Sequence, residues 1–258
     1  MARSRPNRNR SNRSNRRRRR GRFSGLLKLF AVLIAGAAIV YALALFFRMD
    51  HIAVTGNARY TEAEVLEASG LETGGNLYFL NKFDVKETIF AALPYVEEVR
   101  IYRKLPDTLL IELRECTAVA GVESTHGIWL ISDQGKLLEL TDTLPPGCPL
   151  IRGCEPVDPA PIQTVNFGEE AAYRGSVVLT LLREAEDREM RDKLGAIEMG
   201  DDAALSFGYM DRFTVRLPWT ADVGYKLVSL STVVDYLENN ETGVIDLMTE
   251  GKASFIPE

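Results

Sequence analysis

The sequence predicts an α+β fold carried on one apolar helix: a disordered basic tail, a transmembrane helix, a small β-α-α-β-β domain, then a larger mixed α/β domain with a mainly antiparallel sheet. Three observations lead there. Twelve basic side chains and no acid crowd into residues 1–28. A charge-free run follows from Leu29 to Phe47. Beyond it, runs of period two alternate with runs of helical period. The segments divide as 1–28, 29–48, 49–118 and 119–258, and a hydrophobic content of 46% is enough for real cores in the last two.

The net charge of −5 hides a sharp division. Beyond the basic tail, 19 basic residues face 36 acidic ones, so the two parts suit different surroundings. The Arg/Asn/Ser tail cannot bury apolar surface and is expected to be disordered. Its arginines could attract anionic lipid or nucleic acid, but fixing topology is the simpler role. No part of the chain reads as a dedicated nucleic-acid module.

From Leu29 to Phe47 there are nineteen residues, eleven of them Leu, Ile, Val or Phe. As a helix this run spans roughly 28 Å, about the hydrocarbon thickness of a bilayer. The basic block precedes it and only Arg48 flanks its far side, so the positive-inside rule leaves the N-terminus in the cytoplasm and the remainder outside. A cleaved signal peptide is the competing reading, because Ala42-Leu43-Ala44 resembles a cleavage site. The long basic region and the continuing Phe46-Phe47 argue for an anchor that is kept.

The first extracellular unit opens with a short strand, His51 to Val54, closed by Gly56-Asn57. Thr61 and Glu64 form a capping-box pattern, with Val65, Leu66 and Ala68 on the apolar side and Gly70 as the stop. A second helix runs through Lys86 to Ala92, with Phe83, Ile89, Phe90 and Leu93 as its expected buried stripe. Val96 to Lys104 and Thr108 to Glu115 alternate as strands around the turn at Leu105-Pro106-Asp107.

These residues resemble a known family. Val54-Thr-Gly-Asn57 just outside a single membrane helix, Pro94-Tyr-Val96, and Leu105-Pro-Asp-Thr108 through Arg114-Glu115 are similar to the POTRA domain of the FtsQ/DivIB bacterial cell-division proteins. Where the family usually has E-x-x-P-V-A, this chain has Cys116-Thr117-Ala118 and lacks the proline.

In the second unit, Ile128 to Ser132 and Lys136 to Leu140 read as a hairpin about Asp133-Gln-Gly135. A proline-rich connector follows. Ser176 to Lys193 and Tyr225 to Leu237 read as amphipathic helices, the latter turning Leu227, Leu230, Val233, Val234 and Leu237 to a sheet. Ala204 to Phe207, Phe213 to Leu217, Val244 to Met248 and Lys252 to Ile256 are the remaining strand candidates. Lys226-Leu-Val-Ser-Leu230 leading to Val244-Ile-Asp-Leu247 resembles the family's K/R-L-x-x-L helix and V/I-D-L strand.

The resemblance implies a non-catalytic scaffold at the division septum, single-pass in the cell membrane, that binds FtsB- and FtsL-type proteins to organise septal peptidoglycan synthesis. It also implies strand addition to the C-terminal sheet edge, through Val244, Ile245, Asp246, Leu247, Met248, Lys252, Ala253, Ser254 and Phe255, with Phe255 as an aromatic anchor or as the last piece of the core. An edge of unpaired N–H and C=O groups suits that task. A second recruitment strand is expected at Val96 to Lys104, carrying Val99, Ile101 and Arg103.

Neither a catalytic residue, a cofactor-binding or metal site, nor a small-molecule substrate is expected. HExxH, GxSxG, Walker and GxGxxG patterns are missing. His51 and His126 have no neighbouring partner in sequence, and Asp201-Asp202 and Glu169-Glu170 read as solvated charge. Cys116, Cys148 and Cys154 are odd in number, so at least one thiol stays free of an internal bridge; Cys148 and Cys154 are close enough to pair. The rival readings are an anchored cell-wall enzyme, which needs converging carboxylates or a metal, and a POTRA-bearing transport component, which usually repeats the domain.

Overall fold

A computed structural model of the protein describes residues 20–257. The tail expected to be disordered over 1–28 lies outside these residues as far as position 19. From Arg20 onward the chain is already helical, in α1 (Arg20–Phe46). Arginine is a good helix former, and extending a formed helix costs far less than starting one. Within α1, Gly25–Leu43 is long and apolar enough to cross a membrane. The helix stops at Phe46, so Phe47 and Arg48 fall beyond it.

Two compact units emerge. The first joins the chain through Ile52 to Glu72–Leu80 and Arg103–Leu109. Here the segment after α1 lies along the Gly74–Leu77 loop: Met49 donates to the Gly75 carbonyl at 2.7 Å, Gly74 to that of Met49 at 2.7 Å, and Leu77 to that of Phe47 at 2.9 Å. Met49 and Leu77 are buried between them.

The second unit holds Ala53–Leu71, Asn81–Tyr102 and Leu110 onward. Its helix α2 (Glu62–Ser69) has both halves of the expected capping box. Thr61 Oγ1 accepts from the Glu64 amide at 3.3 Å, and the Glu64 carboxylate accepts from the Thr61 amide at 2.7 Å. Donation to the carboxylate from the Thr61 amide, and from the Thr61 hydroxyl at 2.7 Å, holds the Glu64 carboxyl below its usual range. Gly70 ends α2 in the left-handed region, at φ +64°, where a side chain would be strained. Helix α3 (Lys82–Ala92) begins earlier than its periodicity indicated, capped by Asn81. Its buried stripe is Val85, Ile89 and Leu93, four residues apart, whereas Phe83 is 65% exposed. Two positions from Val85 is about 200° around a helix, so Phe83 cannot share that face.

The elements follow in the expected order β-α-α-β-β, and the small sheet takes β1 (His51–Thr55), β2 (Val96–Lys104) and β3 (Thr108–Glu115) in the spatial order β1-β3-β2. Alternation in β3 is clean, with Leu109, Ile111 and Leu113 buried.

The larger sheet has nine strands. They are β4 (Ala120–Ser124), β5 (Gly127–Ile131), β6 (Leu137–Thr141), β7 (Leu150–Arg152), β8 (Leu194–Glu198), β9 (Ala204–Tyr209), β10 (Phe213–Pro218), β11 (Gly243–Asp246) and β12 (Ser254–Pro257). Their order is β12-β11-β10-β9-β8-β7-β4-β5-β6, antiparallel except at β10–β11, β4–β7 and β7–β8. The hairpin about Asp133 is β5–β6. Strands β4, β7 and β8 carry no sequence signal strong enough to stand out. Helix α4 (Gly168–Asp187) starts and ends before the expected Ser176 to Lys193, and the residues after it turn into β8. Helix α5 (Val223–Tyr236) matches its prediction closely. Val178, Leu181 and Leu182 of α4, with Leu227 and Leu230 of α5, pack into one core with Ile197, Phe207, Val215 and Ile245 of the sheet.

A polar clasp joins the start of β2 to β6 within this second unit. Tyr95 donates its hydroxyl to Glu139 at 2.5 Å, and the Arg59 guanidinium lies 3.7 Å over the Tyr95 ring while pairing with Glu139 at 3.2 Å. Lys136 donates to the Val96 carbonyl at 2.9 Å, and Gln134 to Glu97 at 2.8 Å. Burial and the neighbouring carboxylate push the Tyr95 phenol well above its ordinary pKa. Tyr95→Phe is expected to cost about 1.5 kcal/mol, the low end of the range for a hydrogen bond to a charged group, because the Glu139 side chain is 45% exposed. A urea titration with Glu139→Gln as the second corner of a double-mutant cycle checks it; zero coupling would show that the clasp adds no stability.

All three cysteines are free. Cys116 is buried, with its Sγ 3.4 Å from the Tyr95 carbonyl. Burial raises all three thiols above their usual pKa, which starves them of reactive thiolate at neutral pH. Maleimide at pH 7 should therefore label folded protein more slowly than the same chain in urea, Cys116 slowest of all. Equal rates would mean that the folded state does not shield them.

Candidate functional site

The C-terminal margin of the large sheet is built from α5, β11 and β12. β11 lies parallel to β10, with Val215 opposite Ile245, and β12 returns antiparallel, with Ile245 opposite Phe255. Among the described residues no strand pairs with the outer side of β12. The opposite margin differs. Along β6, Leu137 donates to the Gln163 carbonyl at 2.7 Å and accepts from Ile162 at 2.7 Å, while Val165 donates to Gly135 at 2.8 Å. A passing segment thus closes the start of that edge, and β12 is the open one.

The residues expected to meet a partner differ in what they expose. Ile245 and Leu247 are core side chains, 0% and 1% exposed, and their backbones are engaged as well: Ile245 pairs with both Val215 and Phe255, while Leu247 donates to the Arg216 carbonyl at 2.8 Å and accepts from Lys226. Val244, Asp246 and Met248 are half-buried, and Asp246 accepts from the Met248 amide at 2.8 Å to shape the turn. Lys252 and Ala253 are exposed but precede β12, which begins at Ser254. Phe255 points inward: its ring meets Phe213 edge to face at 6.0 Å and packs on the core. Its neighbour Ile256 is the exposed apolar residue of β12, at 55%.

One interaction holds this margin to the helix. Lys226, 6% exposed, donates to the Leu247 carbonyl at 2.6 Å and to the Thr249 carbonyl at 2.9 Å. A buried ammonium is costly unless its donors are answered, so these carbonyls set both the lysine and the 247–249 backbone in place. The Lys226-Leu-Val-Ser-Leu230 motif marks this lysine in the sequence, while its task depends on contacts made across the fold.

Beside it run two grooves. One of about 320 Å³ is lined by Tyr225, Val228, Thr232, Leu247 and Ala253 among others, and one of about 690 Å³ by Pro218, Asp222, Tyr225, Met248 and Glu250 among others. Tyr225 and Val228 are more than half exposed. Their spacing opposite the Leu227–Leu230 stripe is the sequence signal of a face turned from the core.

The second expected strand, β2, lies at the margin of the small sheet. Its Val99 and Ile101 side chains are buried, and Arg103 donates to the Leu80 carbonyl at 2.7 Å. Lysine ammoniums reach two of its carbonyls, Lys82 at Ile101 (2.7 Å) and Lys136 at Val96 (2.9 Å). Such contacts blunt an edge, which makes β2 a poorer template than β12. Among the described residues, no group of three or more His, Cys, Asp or Glu is arranged to hold a metal ion.

Comparison with known proteins places these features. The family described as "POTRA domain, FtsQ-type" matches residues 47–115. Over 94 residues the chain is 33% identical to cell division protein DivIB of Clostridium botulinum (strain Hall), a match covering 36% of each protein. That aligned stretch is little more than a third of the relative's length. Longer matches reach cell division protein FtsQ of Corynebacterium glutamicum, 24% identical over 79% of this chain and 86% of that protein, and DivIB of Geobacillus kaustophilus, 26% identical over 81% and 75%. Residues 47–115 are thus an FtsQ-type POTRA domain, and the chain around them resembles the FtsQ/DivIB cell-division proteins.

Proposed function

We propose that this protein is a non-catalytic scaffold of the bacterial divisome, held in the cell membrane by α1 with its N-terminus in the cytoplasm. Its extracytoplasmic part captures FtsB- or FtsL-type bitopic proteins at the septum and so organises peptidoglycan synthesis. The observation that carries this reading is the asymmetry of the large sheet: β6 is partly closed from within, and β12 is not. An extended segment pairing with β12 would satisfy the strand's free backbone groups, and a preceding helix could lay apolar side chains against Tyr225 and Val228. β2 of the POTRA domain is the secondary candidate for recruiting other division proteins.

The test is position-specific photocrosslinking in cells. A crosslinking amino acid at Ile256 should trap an FtsB- or FtsL-type partner, whereas one at Leu140, 44% exposed on the opposite margin, should not. Equal trapping at both positions would remove β12 as the docking strand. Depletion should give filamentous cells; normal septation without a second copy of the gene would sink the division role altogether.

A further inference from the structure

The loop that follows Gly75 carries aromatics that neither the sheet edge nor the POTRA core uses. Tyr78 is 63% exposed and Phe79 77%, two bare rings side by side in sequence. Both lie within the first compact unit, together with the end of α1. The Phe47 ring meets Tyr78 at 5.2 Å and Phe46 at 5.2 Å. Val40 and Leu43, from the apolar span itself, line one groove of about 330 Å³ with Phe47, Asn76, Tyr78 and Phe79. The loop therefore stands level with the last turns of that span.

Its backbone is also prepared for a medium poor in water. Asn76 Oδ1 accepts from the amides of Tyr78 at 2.8 Å and Phe79 at 3.4 Å. Arg103 donates to the carbonyls of Leu80 at 2.7 Å and Tyr78 at 3.5 Å. Backbone groups answered by the protein can leave bulk water at little cost, while unanswered ones cannot. Aromatic rings, Tyr above all, favour the headgroup layer of a bilayer.

We propose that the Asn76–Leu80 loop is a second membrane contact, with Tyr78 and Phe79 seated in the interfacial layer of the leaflet that α1 leaves. The inference rests on the reading that α1 crosses a membrane. The occupant of the groove is lipid, because α1 residues within the span form one wall of it. The loop then fixes the rotation of α1 about its axis and the height of the first unit above the bilayer.

The full chain, reconstituted in phosphatidylcholine/phosphatidylglycerol vesicles, tests this with Phe79→Trp, which keeps an aromatic ring at an exposed position. Emission of the wild type, from the buried Trp129 and Trp219, is subtracted. Lipids brominated on the acyl chain should quench the added emission several-fold more than aqueous iodide does. Quenching by iodide instead, in protein that floats with the vesicles, would overturn the loop contact and leave the anchor intact. Shielding from both quenchers would also overturn it, by pointing to a protein covering the loop. Failure of the wild-type chain to float would overturn the membrane reading itself, and the loop contact with it.

Discussion

Gly243→Ala should free β12 from the sheet while the core of the domain stays folded. Gly243 sits at φ +152°, a conformation that side chains rarely adopt. An added Cβ would lie 2.2 Å from the Ile256 carbonyl oxygen and 3.0 Å from the Pro257 Cα. Those are backbone atoms of the facing strand, so no rotamer change relieves the clash; the strand itself must move. Strain and lost pairing together should cost about 2–4 kcal/mol. The effect should be local, because β12 is four residues long and, among the described residues, borders only β11. Hydrogen exchange should show the β12 amides that bond to β11 losing protection while those of β9 and β10 keep theirs. If β12 is the docking strand, partner affinity should drop at least tenfold in parallel. Retained protection at β12 would mean the edge accommodates the methyl, and the geometry drawn for it would be wrong.

Lys226→Met should loosen the turn that α5 holds against the sheet margin. The substitution keeps the apolar stem but removes the ammonium, leaving the Leu247 and Thr249 carbonyls without their charged donor. Hydrogen bonds to charged groups are worth about 1.5–3 kcal/mol each in mutational series, and an unanswered buried carbonyl adds its own penalty. Part of this is recovered where water reaches Thr249, which is exposed, so a net loss of about 2–3 kcal/mol is expected. Denaturant titration should show the midpoint falling with the slope unchanged. An unchanged midpoint would show that the lysine is not what holds the 247–249 turn. Comparing the two variants separates roles, since Gly243→Ala displaces the strand and Lys226→Met loosens the turn that leads to it.

What the sequence made legible were features decided by neighbours along the chain. The Thr61–Glu64 capping box, the Gly70 stop and the alternation of Leu109, Ile111 and Leu113 all depend on spacing, and each appears where spacing put it. Strand β7 is three residues in proline-rich surroundings, and it exists because β4 and β8 flank it in parallel. No local pattern announces a strand whose two neighbours lie far from it in sequence. The stripe of α3 misled because Phe83 is large and apolar; geometry gave the buried face to Val85 instead. At the C-terminal margin, the motif located α5 and β11. Which way Phe255 faces, and that Lys226 spans to the turn, depend on contacts that only folding creates.

The large sheet has a mechanical consequence. One continuous ladder connects β6, gripped by the Tyr95–Arg59–Glu139 clasp, to β12. Eight inter-strand steps of about 4.8 Å separate them, roughly 38 Å measured along the sheet. Load applied through a segment zipped to β12 would travel sideways through hydrogen bonds in all nine strands before reaching the clasp. The sheet thus acts as a stiff spacer bar, keeping whatever is tethered at one end a fixed few nanometres from the POTRA strand at the other.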